Sequence, residues 1–171
     1  MNKTPFNING VEFTIYSNGT VFGDGSHEST STMLDLMAQQ NFKGKKVLDI
    51  GTGTGILSIF AAKCGAEVTA LDINPAAMEF ARKNFKHNGV DVDLELNDLT
   101  QDIEGKYDII LANLPPAEQV ENLKTIEQYI AEGGTLIISW LNYLDLNRHA
   151  PQFTVVQHIE NSEYDGYVLK K

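Results

Sequence analysis

The segment Lys46-Val-Leu-Asp-Ile-Gly51-Thr-Gly53-Thr-Gly55-Ile-Leu decides the fold of this chain. A short apolar run with the length of a β-strand ends in three alternate glycines, and a helical pattern follows them directly. A strand that turns into a helix through glycines brings backbone N–H groups and the positive end of the helix to one place. The segment therefore predicts an α/β fold with a ligand-binding site at this first strand-to-helix turn.

The residues around these glycines indicate which ligand the turn would bind. The nicotinamide and flavin fingerprint G-x-G-x-x-G needs its third glycine at position 56, which is Ile56, whereas Gly55 comes one residue early. No Gly-Lys-Ser/Thr follows, so the phosphate loop of nucleotide triphosphatases is absent. Asp49 lies just before the glycines, where it would repel a pyrophosphate and attract a cationic group. We therefore expect a ligand with a positive charge.

The rest of the chain alternates between strand-like and helix-like segments, which is typical of α/β proteins. Nearly continuous apolar runs, as expected for parallel strands buried on both faces, lie at 46–50, 67–71, 107–112 and 135–140. The run at 92–96 alternates more, which predicts an edge strand. The last two runs, 153–159 and 164–169, are separated by a short polar link, too short for a helical crossover, so they must pair antiparallel.

Helices are predicted between these strands. Asn74-Pro75 supplies an N-cap acceptor and a preset φ for one helix, and Asn88-Gly89 ends it. A further helix is predicted from one apolar stripe at three- and four-residue spacing, formed by Val120, Leu123, Ile126 and Ile130. Ahead of the core at 46–171, residues 1–45 are expected to form a hairpin, a cover loop and a helix. The hairpin would pair 11–16 with 20–22, and the helix would span 29–40.

Length and composition limit the class of protein. With 171 residues, the chain is expected to form one domain, 1–171, without a disulfide or a structural metal. The single cysteine, Cys64, favours a reducing compartment, so the cytoplasm is the expected location. No apolar run approaches the ~20 residues of a membrane span. A net charge of −10 makes nucleic acid an unfavoured partner.

The glycine segment with its preceding acid resembles the first motif of class I S-adenosylmethionine-dependent methyltransferases. Further segments that match the family's motifs follow in the family's order, and they are Leu71-Asp72-Ile73-Asn74, Asn97-Asp98-Leu99 and Glu132-Gly133-Gly134-Thr135-Leu136. The resemblance implies a seven-stranded Rossmann-like methyltransferase sheet, mostly parallel, with a C-terminal antiparallel hairpin. It also implies S-adenosyl-L-methionine as the cofactor and no metal ion.

The resemblance assigns roles to the residues of these motifs. Asp72 would hold the ribose hydroxyls, Asp98 the adenine, and the glycine loop with Asp49 the methionine end of the cofactor. The residues expected to bind the cofactor are Phe22, Gly23, Asp24, Asp49, Gly51, Thr52, Gly53, Gly55, Asp72, Ile73, Asp98, Leu99 and Asn113.

Two segments resemble more closely the bacterial methyltransferases that modify the ribosomal stalk protein. They are 21–30, with Phe22, Gly23 and His27, and Ala112-Asn113-Leu114. Asp24 and Ser26 stand where that family usually has threonines, and Glu28 stands where it has proline. The family also carries a separate N-terminal domain that recruits the ribosomal protein, and we expect no such domain here. The expected acceptor is therefore a small amine or an exposed chain terminus, in a pocket bounded by Phe22, Asn113 and either Trp140 or Tyr143.

Asn113-Leu114-Pro115-Pro116 resembles the Asn-Pro-Pro-aromatic motif of methyltransferases that act on planar or amide nitrogens. In that motif the asparagine side chain and the next carbonyl accept hydrogen bonds from the target nitrogen, so Asn113 and Leu114 are the expected catalytic residues. Leu114 and Ala117 replace a proline and the aromatic residue, which removes the stacking surface for a base. An amine on a protein or a small molecule is therefore favoured over a nucleobase.

Other interpretations stay open at this stage. A nucleic-acid methyltransferase would share the cofactor motifs, and a non-catalytic module would bind S-adenosylmethionine without turnover. Asp72 could instead cap a helix, Asp98 could belong to an ordinary turn, and the prolines could simply end a strand. We expect His27 to order the backbone rather than act as a base, and the oligomeric state is not predicted.

Overall fold

The computed structural model describes all 171 residues, which form two sheets and five helices. In chain order the elements are β1 (Asn2–Ile8), β2 (Val11–Ser17), α1 (Glu28–Met37), β3 (Lys46–Ile50), α2 (Ile56–Lys63), β4 (Glu67–Asp72), α3 (Pro75–Asn88), β5 (Val92–Leu96), β6 (Tyr107–Ala112), α4 (Pro116–Glu127), β7 (Ile130–Leu141), α5 (Leu146–His149), β8 (Thr154–Ile159) and β9 (Tyr164–Lys170). None of the helices is long and apolar enough to cross a membrane.

The larger sheet has seven strands in the order β5-β4-β3-β6-β7-β9-β8. The five strands β3 to β7 run parallel, while β9 pairs antiparallel with both β7 and β8. This arrangement confirms the predicted Rossmann-like methyltransferase sheet with its C-terminal antiparallel hairpin and its edge strand at 92–96. The chain order reverses between β3 and β6, and in open α/β sheets ligands bind in the crevice at that point.

Alternate residues of the central strands face two separate apolar cores. Val47 packs with α1, α2 and the N-terminal hairpin, whereas Leu48 faces α4 and the end of β7 on the other side of the sheet. This burial on both faces explains why the strand sequences are continuously apolar. Because Phe13 and Ile15 of the hairpin belong to the first core, we propose that residues 1–171 fold as one domain.

The N-terminal hairpin is built differently from the prediction. β2 pairs with β1, across a turn at Asn9-Gly10 whose φ angles of 52° and 82° suit a type I′ turn. The predicted pairing of 11–16 with 20–22 is therefore wrong. Asn18 accepts hydrogen bonds from both the backbone N–H and the hydroxyl of Thr20, and this local turn leads the chain into the loop instead of back along β2.

Two asparagine side chains of α3 dock the hairpin onto the larger sheet. The Asn88 amide both accepts from and donates to the backbone of Thr14, with distances of 2.9 and 2.8 Å. The Asn84 amide pairs in the same way with the backbone of Tyr16, at 2.9 and 3.1 Å. The spacing of two residues four apart on the helix thus matches the spacing of two residues two apart on the strand. The two asparagine side chains supply the hydrogen bonds that a second neighbouring strand would otherwise make with β2.

The remaining corrections concern element ends. The predicted stripe on α4 holds for Leu123 and Ile126, which are buried, but Ile130 is already the first residue of β7. Its apolar side chain fits the helical spacing by coincidence, since it is buried as part of a strand. Helix α1 ends at Met37 rather than at 40, and the four-residue helix α5 was not predicted.

Glu28, at the start of α1, anchors the turn between β8 and β9. One carboxylate oxygen accepts from the backbone N–H and the hydroxyl of Ser162, and the other accepts from the N–H groups of Glu163 and Tyr164. These hydrogen bonds lower the pKa of Glu28 to about 2, and the bond from the Ser162 hydroxyl makes the largest contribution. The terminal hairpin is thereby tied to the helix that follows the cover loop.

We expect Glu28→Gln to lower the melting temperature by several degrees, because an amide nitrogen would face two N–H donors. A lowered carboxyl pKa stabilises the fold above the unfolded value of 4.5, and the effect is lost as pH falls towards about 2. The difference between parent and variant should therefore shrink over that range. Thermal denaturation across pH measures it, with Glu163→Gln as the control, and a constant difference would contradict the assignment.

Candidate functional site

The glycine loop, residues 51–55, lies at the crevice between β3 and β6. Its three glycines have positive φ angles of 69°, 59° and 87°, a region that side chains disfavour. At Gly53 a Cβ atom would also lie 2.3 Å from the carbonyl oxygen of Phe22. Glycine is required there because the cover loop, residues 22–27, approaches the backbone directly.

Four of the five backbone N–H groups of the glycine loop are used inside the protein, and that of Gly51 has no hydrogen-bond partner. Thr52 donates to the carbonyl of Leu71, Thr54 to that of Phe22 and Gly55 to that of Thr52, at 2.8 to 3.0 Å. The N–H of Gly53 donates to a carboxylate oxygen of Asp72 at 2.9 Å. The loop thus has no cluster of free donors for a pyrophosphate, which agrees with the exclusion of a dinucleotide from the glycine spacing.

Asp49 places a buried acid beneath this loop. Its side chain is almost fully buried, and one carboxylate oxygen accepts from the hydroxyls of Thr52 at 2.8 Å and Ser58 at 2.6 Å. Burial is the main reason that the pKa of Asp49 rises to about 6, and the charge of Asp72 raises it further. A cation bound nearby would stabilise the ionised form. Ser58 was missed in the sequence, although it is the one hydroxyl in the apolar helix α2.

Asp72 lies at the carboxyl end of β4 with both oxygens aimed at backbone donors. One oxygen accepts from Gly53 and the other from the N–H of Asn74, each at 2.9 Å. The N-cap of α3 is Asn74, whose side chain accepts from Ala76, so Asp72 does not cap that helix. Each oxygen of the half-buried carboxylate keeps a second acceptor position, which suits a vicinal diol.

Beyond Asp72, the other residues predicted to bind the cofactor near this strand end, Ile73, Asp98 and Leu99, differ in exposure. Ile73 is 58% exposed and Leu96, opposite Asp72 on β5, is 60% exposed, so two apolar side chains are open to solvent at this edge. Asp98 is also exposed, and hydrogen bonds from Thr100 lower its pKa. Leu99 differs, because its side chain is buried and its N–H donates to Asn97. Neither the side chain nor the backbone N–H of Leu99 is therefore free for a ligand.

The cover loop is fastened to the glycine loop by Thr54. The Thr54 hydroxyl donates to the carbonyl of Gly23 at 2.5 Å, in addition to the bond from its N–H to Phe22. Asp24 folds the next turn by accepting from the backbone and hydroxyl of Ser26. Thr54 was not among the predicted residues, since its partners are backbone carbonyls 31 and 32 residues away in the chain.

His27 completes the cover loop as the N-cap of α1. Its Nδ1 accepts from the N–H of Ser29, as expected for a residue that orders the backbone. The ring also packs edge-to-face against Phe22 and Tyr164, with centroid distances of 5.2 and 5.1 Å. No three His, Cys, Asp or Glu side chains of the chain converge in a way that could hold a metal ion.

Asn113 and Leu114 lie beside the glycine loop. Ile50 and Ala112 are paired in the sheet, so Gly51 and Asn113 are the next residues in register, and a Cβ at Gly51 would lie 2.6 Å from the Leu114 side chain. The Asn113 Oδ1 accepts from the hydroxyl of Ser139 at 2.6 Å. No backbone N–H donates to the carbonyl of Leu114. Two acceptors therefore lie next to the proposed cofactor loop.

The two aromatic residues considered for the acceptor pocket differ in exposure. Trp140 is buried, and its indole N–H donates to the carbonyl of Leu144 at 2.9 Å, so it does not line an open pocket. Tyr143 is 76% exposed. Of the pair, only Tyr143 presents a surface that an acceptor could contact.

Asp49→Asn tests the cost of the buried acid. The folded chain keeps the Asp49 carboxyl protonated up to about pH 6. The unfolded chain, in which this carboxyl has a pKa of 3.8, releases the proton at a lower pH. The free energy of unfolding should therefore fall as pH rises between these values, by about 3 kcal/mol. The variant keeps an oxygen acceptor for Thr52 and Ser58, and we expect a higher melting temperature near neutral pH and no such pH dependence. Equal melting temperatures for parent and variant would contradict this.

Known proteins resemble this chain over most of its length. The family model described as ribosomal protein L11 methyltransferase (PrmA) matches residues 12–162. The ribosomal protein L11 methyltransferase of Thermosipho africanus is 32% identical over 168 residues, covering 96% of this chain and 63% of the relative. That of Dictyoglomus thermophilum is 37% identical over 153 residues, covering 87% and 50%. The chain thus spans between half and just under two thirds of the length of these curated relatives.

Solved structures show the same fold. The ribosomal protein L11 methylase of Lactobacillus delbrueckii has a TM-score of 0.81 and 29% identity, covering 90% of this chain and 82% of that one. The 16S rRNA N2 G1207 methyltransferase of T. thermophilus, solved with AdoMet and guanosine, has a TM-score of 0.82 at 21% identity and covers 99% and 50%. The family match and the arrangement of the site agree: the chain belongs to the ribosomal protein L11 methyltransferase family, within the class I S-adenosylmethionine-dependent methyltransferases.

Proposed function

We propose that this chain methylates an amine nitrogen with S-adenosylmethionine, and that the amine belongs to a ribosomal protein. The observation that carries the proposal is the position of Asn113, beside the glycine loop, with its Oδ1 oriented by Ser139. The names of the relatives favour a ribosomal protein over the small amine or exposed chain terminus expected from the sequence. A cytoplasmic location, favoured by the lone Cys64, is part of the proposal.

The residues at the crevice fit the cofactor. Asp72 would accept hydrogen bonds from the two ribose hydroxyls, and the exposed side chains of Ile73 and Leu96 offer an apolar surface for the adenine. Asp49 would place a negative charge near the cationic methionine end. When bound, S-adenosylmethionine supplies an activated methyl group on a sulfonium. The chain's own contribution is then mainly orientation, which can be worth ~7 to 11 kcal/mol.

Asn113 and Leu114 would position the acceptor. Ser139 occupies one acceptor position of the Asn113 Oδ1, so the other remains for an N–H group of the amine. The Leu114 carbonyl would accept a second N–H. Two acceptors at one place favour a nucleophile with two hydrogens, which describes a primary amine. The amine must be neutral to attack, so its extra proton would pass to solvent or a neighbouring group beforehand.

Several features favour an amine over a nucleobase. Ala117 is exposed where the related motif has an aromatic residue, and so offers no stacking surface. The net charge of −10 opposes binding to a phosphate backbone and favours a cationic protein. A small amine would fit the same two acceptors, and the following experiment distinguishes it from a protein by the fraction in which the label is found.

The function is tested by incubating the chain with S-adenosylmethionine labelled on the methyl group. One sample contains purified ribosomal protein L11, and a second contains a cell extract that is then separated into protein, nucleic acid and small molecules. We expect label in L11 and in the protein fraction. Label confined to RNA would support the nucleic-acid alternative, label in small molecules a free amine, and binding without any transfer a non-catalytic module.

Replacing Asp72 should weaken the cofactor site while the fold survives. Asp72→Ala removes two charge-assisted hydrogen bonds, each worth roughly 1.5 to 3 kcal/mol, so affinity should fall by more than about tenfold. Calorimetry with S-adenosylhomocysteine measures this, and NAD should not bind the parent. Asp91→Ala, an exposed acid just before β5 and at the opposite end of the strands from Asp72, is the control. Unchanged affinity in Asp72→Ala would remove Asp72 from the site.

Asn113→Ala should separate turnover from cofactor binding. Because Asn113 would contact the acceptor, kcat should fall by roughly 100-fold, a loss typical of a misplaced nucleophile. The Kd of S-adenosylhomocysteine should stay within about twofold of the parent. If affinity falls and the rate at saturation does not change, Asn113 contacts the cofactor instead.

A further inference from the structure

Gln119 is a buried amide on an otherwise apolar face of α4. Its residue is 1% exposed, and it continues the stripe formed by Leu123 and Ile126 at four- and three-residue spacing. An apolar side chain would therefore be expected at this position. Instead, Gln119 buries an Oε1 atom that has no hydrogen-bond partner. Packing of α4 alone gives no reason for a glutamine here, since an unpaired buried acceptor lowers stability.

The other end of the amide explains the residue. The Gln119 Nε2 donates to the carbonyl of Ala112 at 2.7 Å and to the carbonyl of Ser139 at 2.9 Å. These carbonyls belong to two neighbouring strands, β6 and β7. One side chain thus uses both of its N–H groups to bridge them.

The bridge lies where the ladder between the two strands stops. The last paired residues are Ala112 and Ile138, so Asn113 and Ser139 are the first residues beyond the ladder. They are joined only by the bond from the Ser139 hydroxyl to the Asn113 Oδ1, at 2.6 Å. Gln119 holds the carbonyl of Ser139 and the carbonyl that precedes Asn113. It therefore acts as an additional rung that fixes the separation of these two residues.

We propose that Gln119 is a positioning residue that orients Asn113 towards the acceptor nitrogen. The inference rests on the proposed function, because it assigns to Asn113 the contact with the acceptor. Gln119 itself lies under the site and touches no reacting group. Without its bridge, the ends of β6 and β7 separate or shift, and the free acceptor position of Asn113 no longer points in one direction.

A structural role and a positioning role give different results. If Gln119 only holds α4 on the sheet, its loss should lower stability and affect cofactor binding and turnover alike. If it acts through Asn113, its loss should affect turnover alone, and it should have no effect once Asn113 has been removed.

The experiment compares Gln119→Leu and Gln119→Met with Asn113→Ala and with each double variant. We expect the Gln119 variants to lower kcat at least tenfold with labelled cofactor and ribosomal protein L11, while the Kd of S-adenosylhomocysteine stays within about twofold. Neither should slow turnover further in the Asn113→Ala chain. Asn122→Ala, which removes an exposed amide bonded to a carbonyl of the same helix, should change nothing. Either Gln119 variant, if folded, is sufficient for the test.

Side-chain amide spectra give a readout that does not need turnover. In the parent, the Gln119 side-chain protons should exchange slowly with solvent, and the Gln119 variants should shift the Asn113 side-chain signal. An Asn113 signal that does not move in the Gln119 variants overturns the inference. A parental kcat in the Gln119 variants also overturns it, as does a double variant whose loss of kcat is the product of the two single losses. If the parent transfers no methyl group to any acceptor, the proposed function fails, and the spectra still decide whether Gln119 orients Asn113.

Discussion

The carbonyl of Phe22 lies where a side chain at position 53 would begin, and the arrangement of the site depends on that contact. Gly53 makes the close approach possible, and its own N–H holds the Asp72 carboxylate. The cover loop, the glycine loop and the end of β4 therefore meet at one residue without a Cβ. Because four of the five backbone N–H donors of the loop are used in holding these segments, the loop offers no cluster of free donors to a phosphate. We propose that carboxylates and exposed apolar side chains recognise the ligand instead.

The same crevice contains one acid, Asp49, that the chain holds at a cost. Burial opposes the ionisation of Asp49, and the charge of Asp72 opposes it further. Such a site is more favourable with a cation bound than without one. We propose that the cost of burying Asp49 and the preference of the site for a positively charged ligand have the same cause. A sequence optimised for stability alone would not place an acid at position 49.

Much of the architecture could be predicted because the relevant signals are local. Strands that are buried on both faces appear in the sequence as continuous apolar runs. The conformation of the glycine loop is indicated by its own three glycines. The prediction of the N-terminal hairpin was wrong because Asn9-Gly10 and Asn18-Gly19 are equally good turn signals. Asn9-Gly10 closes the hairpin because β1 pairs with one side of β2, while Asn84 and Asn88 dock its backbone onto α3.

The site residues that the sequence predicts lie at strand ends, as Asp49, Asp72 and Asn113 do. Polar side chains that act on distant backbone carry no such signal. Thr54, Ser139 and Gln119 orient their partners across 20 to 31 residues or across the sheet, and no local pattern marks them. A lone hydroxyl or amide in an apolar stripe is the signal that could have identified Ser58 and Gln119.

A crystal structure of the chain with S-adenosylhomocysteine tests this arrangement most directly. It should show the ribose hydroxyls on the Asp72 carboxylate, the adenine against Ile73 and Leu96, and the sulfur on the side of Asn113. A ligand bound away from the crevice, or one that leaves Asp72 bonded only to Gly53 and Asn74, would contradict the proposed site.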